Sequence, residues 1–135
     1  MISVKSLYAD LAEAYASDAE YAPGTVLEFG GEFDVTISTT NLSTKIAGIV
    51  STDPSYLMNG DLDSANVAIV ALQGRIPTTI VGPVGKGDML VSAGNGMVTV
   101  CNTPLPGSVL GKSLTNFTAT EEQPTSTIEI AIGRT

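Results

Sequence analysis

Hydrophobic and polar positions follow one another in short runs along most of this chain, and the runs stop at glycine or proline. Three of them open on the same phrase: Pro23-Gly24-Thr25-Val26-Leu27, Lys86-Gly87-Asp88-Met89-Leu90 and Pro106-Gly107-Ser108-Val109-Leu110. Each places a turn glycine before an apolar, β-prone segment. Pro-Gly suits the centre of a type II turn, because proline presets its φ and glycine takes the positive φ that side chains resist. The pattern predicts strands joined by tight turns.

Thr25 to Phe29 and Glu32 to Ser38 flank Gly30-Gly31, a two-residue spacer able to take the positive φ of a type I′ turn, so a hairpin is predicted there. Lys45 to Ser51 is nearly continuous in apolar residues and predicts a buried strand that stops before Asp53-Pro54, since proline cannot donate to a ladder. Asn66 to Leu72 is the most apolar stretch; Gly74 then admits a bend before Arg75 to Val81. A second hairpin joins Asp88 to Ser92 with Met97 to Cys101 across Gly94-Asn95-Gly96. The last elements are Ser108 to Leu114 and Thr127 to Ile132, the latter with Ile128, Ile130 and Ile132 on one face. The expected core is Val26, Leu27, Ile46, Ile49, Val50, Val67, Ile69, Leu72, Ile80, Leu90, Val98, Val109, Ile128, Ile130 and Ile132.

The N-terminal stretch reads differently. Leu7, Leu11, Ala14 and Tyr15 fall at helical spacing behind a Ser6 cap, so a short helix is predicted, with an extended arm as the alternative. Residues 1–20 are read as an N-terminal arm and 21–135 as a β-rich body. About nine or ten short strands with regular turn signals define an all-β fold, a small β-barrel or folded sandwich.

Composition fits one folded domain: 135 residues, 43% hydrophobic and 15% charged. The single cysteine, Cys101, rules out an intrachain disulfide framework. Met1 to Lys5 lacks a charged stretch leading into a long apolar one, and no run nears the roughly 18 apolar residues of a membrane span. Neither secretion by that route nor membrane insertion is expected. Net charge is −8, and seven of the fourteen acids (Asp10, Glu13, Asp18, Glu20, Glu28, Glu32, Asp34) precede residue 35. With six scattered basic residues, binding to nucleic acid through its phosphates is not expected. The acids read as a solvated face, with a basic partner surface as the alternative.

Histidine is absent, which removes the commonest general base, the Ser-His-Asp and Cys-His pairs, and the usual zinc ligand. Asn59-Gly60-Asp61-Leu62-Asp63, with Asp53 upstream, gathers oxygen ligands, yet lacks the twelve-residue calcium pattern and its closing glutamate. Gly82 to Asp88 has the wrong spacing for a phosphate loop. Ser43-Thr44-Lys45 and Lys112-Ser113 place hydroxyls beside lysines, but successive strand residues face opposite ways. No catalytic, cofactor-binding or metal-binding residue is assigned.

Several phrases carry a resemblance: Tyr8 to Glu13, Asp18 to Gly31, Ala47 to Met58 (Ala-Gly-Ile-Val-Ser-Thr-Asp-Pro-Ser-Tyr-Leu-Met), Val70 to Pro77 and Pro106 to Leu114. Read in this order they resemble a domain of virion structural proteins from tailed phages, particularly T-even-like phages of marine cyanobacteria, where it often ends long fibre or appendage chains. Gly48 to Pro54 also resembles part of the self-cleaving chaperone domain of some phage spikes. The organisation as a whole is similar to trimeric head-decoration proteins, whose arms add a strand to the shell protein. The resemblance implies a non-enzymatic virion protein, made in the host cytoplasm and carried on the capsid surface or a tail appendage. It implies a homotrimeric capsid decoration (cement) protein first, a tail-fibre, neck or baseplate domain second, and an autoproteolytic spike domain third. The implied partners are other copies of the chain and the major capsid protein or other virion proteins, with no cofactor. Val4, Leu7, Tyr8, Leu11 and Tyr15 would be the contacts of the arm.

Overall fold

The three repeated phrases form the same turn. The computed structural model describes residues 10–133. In it Thr25 N donates to Ala22 O at 3.2 Å, Asp88 N to Gly85 O at 3.0 Å and Ser108 N to Leu105 O at 3.1 Å. Gly24, Gly87 and Gly107 take φ of 89, 93 and 81°, as the third position of a type II turn requires. The residue after each glycine adds a second bond. The Thr25 and Ser108 hydroxyls donate to the Ala22 and Leu105 carbonyls, both at 2.6 Å, and Asp88 Oδ2 accepts from Gly85 N at 2.8 Å. The repetition is therefore one of local geometry: three chain reversals, each locked by a Thr, Asp or Ser.

Ten strands follow from these and the other turns: β1 (Leu11–Ala16), β2 (Val26–Phe29), β3 (Val35–Ile37), β4 (Ile46–Val50), β5 (Tyr56–Met58), β6 (Val67–Val81), β7 (Met89–Gly94), β8 (Met97–Val100), β9 (Gly111–Ser113) and β10 (Thr125–Ile132). The fold is all-β, and the described residues contain no helix. Five strands close on themselves in the order β6, β10, β9, β7, β8 and back to β6. An eight-pair antiparallel ladder, from Thr125↔Val81 to Ile132↔Gly74, makes the strongest seam. The weakest is a parallel contact at Ile80↔Val98, supported by the Thr99 hydroxyl on Val81 O at 3.0 Å. Closure removes the free edges that an open sheet exposes.

The barrel carries extra strands because β6 is long. Its 15 residues run past the barrel, and the first half pairs with β1 and β4; β4 continues to β2 and β3, while β5 pairs with β1 alone. Along β2, β4 and this half of β6, consecutive residues enter different cores. Val26, Ile49 and Ala71 join the barrel cluster with Ile76, Ile80, Leu90, Val98, Ile128 and Ile130. Leu27, Val50 and Val70 join a second, smaller cluster with Val35 and Ala68, against which Tyr15 and Tyr21 pack. These strands form a wall with both faces buried, which is why their sequences are almost continuously apolar instead of alternating. Gly48 lets β4 lie close to β6: an added Cβ would overlap the Ala71 carbonyl and sit 2.6 Å from Val70 Cγ1.

Several expectations are corrected. The helix read at Leu11, Ala14 and Tyr15 is strand β1, in which the buried Ala12 and Ala14 alternate with the half-buried Leu11, Glu13 and Tyr15 at a period of two. It lies between β5, in parallel, and β6, antiparallel from Ala12↔Ala71 to Ala16↔Val67. Within 1–20, then, residues 11–16 are an internal strand of the body's own sheet. The first hairpin exists, with Leu27↔Ile37 and Phe29↔Val35, but its loop is residues 30–34 and not Gly30-Gly31 alone. The second turns at Asn95 and Gly96, with φ of 52 and 72°, the type I′ conformation. Gly74 does not divide β6. Ten of the expected core residues are buried; Ile46, Ile69, Leu72 and Val109 are half-buried and Val67 is exposed.

Candidate functional site

The residues before Asp10 lie outside the described part of the chain, and with them Val4, Leu7 and Tyr8. Leu11 and Tyr15 are both in β1. Leu11 is half-buried opposite Tyr56 of β5 and Gln73 of β6. The Tyr15 ring meets Phe29 edge to face at 5.5 Å, and its hydroxyl donates to Glu13 Oε1 at 3.0 Å. Burial, then the Glu13 bond and the carboxylates of Glu13 and Asp34, push the Tyr15 hydroxyl above its ordinary pKa. Both residues hold β1 in the sheet.

Part of the acidic N-terminal region has a structural task. Asp34 clamps the end of β1 to the β2–β3 loop: Ala16 N donates to its Oδ2 and Asp34 N donates to Ala16 O, both at 3.0 Å. Next to it a parallel bridge joins Ser17 and Val35. Asp18 accepts from the Tyr21 hydroxyl at 2.7 Å and the Thr36 hydroxyl at 2.8 Å. These bonds, Tyr21 first, hold its carboxyl below the usual range. Asp18 and Asp34 thus act as fasteners of the second cluster.

The hydroxyls beside lysines are engaged locally. Ser43 Oγ donates to Glu28 Oε1 at 3.1 Å. Ser113 Oγ donates to Thr115 O at 2.6 Å and is buried, while Lys112 is exposed on the opposite face. Ser92, at the heart of β7, donates to Thr40 O at 2.8 Å and accepts from Gly94 N at 3.1 Å, pinning the 39–42 loop to the barrel. Among the described residues no three His, Cys, Asp or Glu side chains gather as metal ligands. No helix of the described residues is long and apolar enough to cross a membrane.

What the surface offers is apolar contact. Tyr56 and Leu57 are exposed on β5, whose only partner among the described strands is β1, and its other edge is open to a further strand. Phe29 and Phe33 are exposed around the first hairpin, and Leu105 is exposed between Pro104 and Pro106. None of Tyr56, Leu57, Phe33 and Leu105 stands out in the sequence as a contact residue. Leu105 had one legible signal, a large aliphatic side chain in a turn with no strand of its own to bury it.

A five-stranded barrel widened by an outer sheet is the class this chain belongs to by architecture. The same fold occurs in the crystal structure of the head fibre gp8.5 N base of bacteriophage phi29: the TM-score is 0.52 over 92% of this chain and 94% of that chain, at 16% identity. At that identity the likeness establishes the fold. No family model matches the sequence, and no curated protein matches it.

Proposed function

We propose that the chain is a non-enzymatic structural protein of a bacteriophage particle, acting by binding other virion components. The observation that carries this reading is the likeness to a head-fibre base over nearly the whole length of both chains. Within it, the leading assignment is a homotrimeric capsid decoration protein. Contacts made only with the mature shell would stabilise it by mass action, and many copies would multiply a modest affinity. The arm contacts in this reading reduce to Val4, Leu7 and Tyr8, since Leu11 and Tyr15 are committed to the sheet. A second assignment, the base of a fibre or other appendage, is favoured by the neighbour's own place in a head fibre.

Densitometry of purified particles separates the two. Hundreds of copies per particle support decoration, and tens or fewer support an appendage. A chain without residues 1–9 should fold normally and lose capsid binding; unchanged binding would overturn the arm.

A further inference from the structure

We propose that the cleft between Asp10 and Asp53 binds a calcium ion, which ties the start of β1 to the loop after β4. The inference stands apart from the proposed function: it concerns a joint within the chain and holds wherever the chain is carried.

Asp10 is 5% exposed, and among the described residues its Oδ2 is the one buried side-chain oxygen or nitrogen without a hydrogen-bond partner. A carboxylate oxygen so placed is costly, because it has given up water and gained nothing in return. The backbone of the same residue is held firmly. Its carbonyl accepts from Ser55 N at 3.0 Å and from Ser55 Oγ at 3.1 Å, which sets Asp10 against the loop that follows β4. Between them lies a cleft of about 80 Å³. Asp10, Ser51 and Ile76 line it as buried residues, and Thr52, Asp53 and Arg75 as exposed ones. That volume suits an ion with a little water and is too small for a ring, since a cavity that accepts benzene measures about 150 Å³.

The donor set selects the ion. Two carboxylates and the hydroxyls of Ser51 and Thr52 offer hard oxygen ligands, with neither histidine nor cysteine in the lining. Calcium takes about six to eight oxygens in flexible geometry, whereas magnesium demands a near-ideal octahedron, so an irregular loop suits calcium. Two carboxylates fall short of a three-ligand cluster; water completes the shell, and the affinity is modest. Charge agrees. Arg75 is the only cationic side chain of the cleft, and its Nε already lies 3.6 Å from Glu129 Oε1 on β10. With that pair counted, the carboxylates of Asp10, Asp53 and Glu129 face a single guanidinium, on a chain of net −8.

Calorimetric titration of calcium chloride into the chelator-treated full chain tests this, in about 0.15 M KCl to screen diffuse binding, with thermal midpoints measured in EDTA and in calcium. Wild type should bind at one site with a Kd of about 0.1–1 mM and melt higher in calcium. Asp10→Asn should lose both the site and the rise. In EDTA it should be at least as stable as wild type, because an amide replaces an unpartnered buried carboxylate; a lower midpoint there would mean that Asp10 is satisfied without the ion. Asp53→Asn, at the exposed rim, reads the site without disturbing a buried group and should weaken binding about 10-fold or more. Asp63→Asn, in the 59–63 loop outside the cleft, should bind as wild type does. No calcium binding by wild type, a lower midpoint of Asp10→Asn in EDTA, unchanged binding by Asp10→Asn or Asp53→Asn, or an equal loss in Asp63→Asn would overturn the proposal.

Discussion

The two sides of the wall formed by β2, β4 and the first half of β6 are closed by different means. On one side the barrel shuts through the eight-pair β6–β10 ladder over an aliphatic core. On the other, the smaller cluster is shut where β1 meets β3, by the single Ser17–Val35 bridge and the bonds of Asp34 and Asp18. A ladder is cooperative and insensitive to pH, whereas a bridge held by exposed carboxylates opens locally at lower cost. The barrel is accordingly the rigid body of the molecule, and the β1–β3–β5 side is the part that gives first.

The wall itself is the most sensitive place to break this arrangement. Gly48→Val forces a side chain into the Ala71 carbonyl and Val70, separating both cores from their common support. A loss of about 4 kcal/mol or failure to fold is expected by urea denaturation. Next in size is a contrast between the cores. Ile130→Ala in the barrel should cost about 3 kcal/mol, and Val35→Ala in the smaller cluster about 2 kcal/mol; equal costs would erase the distinction between them.

Asp34→Ala should cost about 1 kcal/mol. Its clearer signature is hydrogen exchange: the Ala16 amide should exchange faster while the Leu90 amide in the barrel stays protected. Acid gives the smallest effect. The folded-state pKa of Asp18 lies below the ordinary aspartate value of 3.8. Its contribution is therefore present above that value and lost as pH falls through the lower, folded-state pKa. Protection factors near Tyr21 and Thr36, with the intrinsic slowing of exchange in acid divided out, should fall on acidification in wild type, and this pH-dependent fall should be absent in Asp18→Asn. The Tyr15 hydroxyl, raised in the folded chain, works in the opposite direction: its contribution is complete below pH about 10 and disappears as alkali ionises it.

Much of the barrel was legible because its signals are local. The turn glycines, the Asn95-Gly96 reversal and the alternating Ile128, Ile130 and Ile132 all follow from residues within a few positions of one another. What escaped depends on partners far along the chain. Ala12 and Ala14 are buried because β1 is laid against β6, more than fifty residues away, whereas the local spacing of Leu7, Leu11, Ala14 and Tyr15 points to a helix. Val84 is buried with the barrel cluster although it stands in the Gly82 to Asp88 stretch, whose glycines mark a turn, and the barrel ladder accommodates Pro77 opposite Glu129 beside the buried Ile76. Ile46, Leu72 and Val109 were read as core from hydrophobicity alone and sit instead at the rim of a surface cleft. The site was less legible than the fold, since exposure of Tyr56 or Leu105 exists only once the sheets have closed.

Electron cryo-microscopy of the purified phage particle tests the central claim most directly. The account predicts density for this barrel on the particle surface, repeated in many copies and joined to shell or appendage protein. Particles that carry no such density, with the protein recovered only from the unassembled fraction, would contradict it.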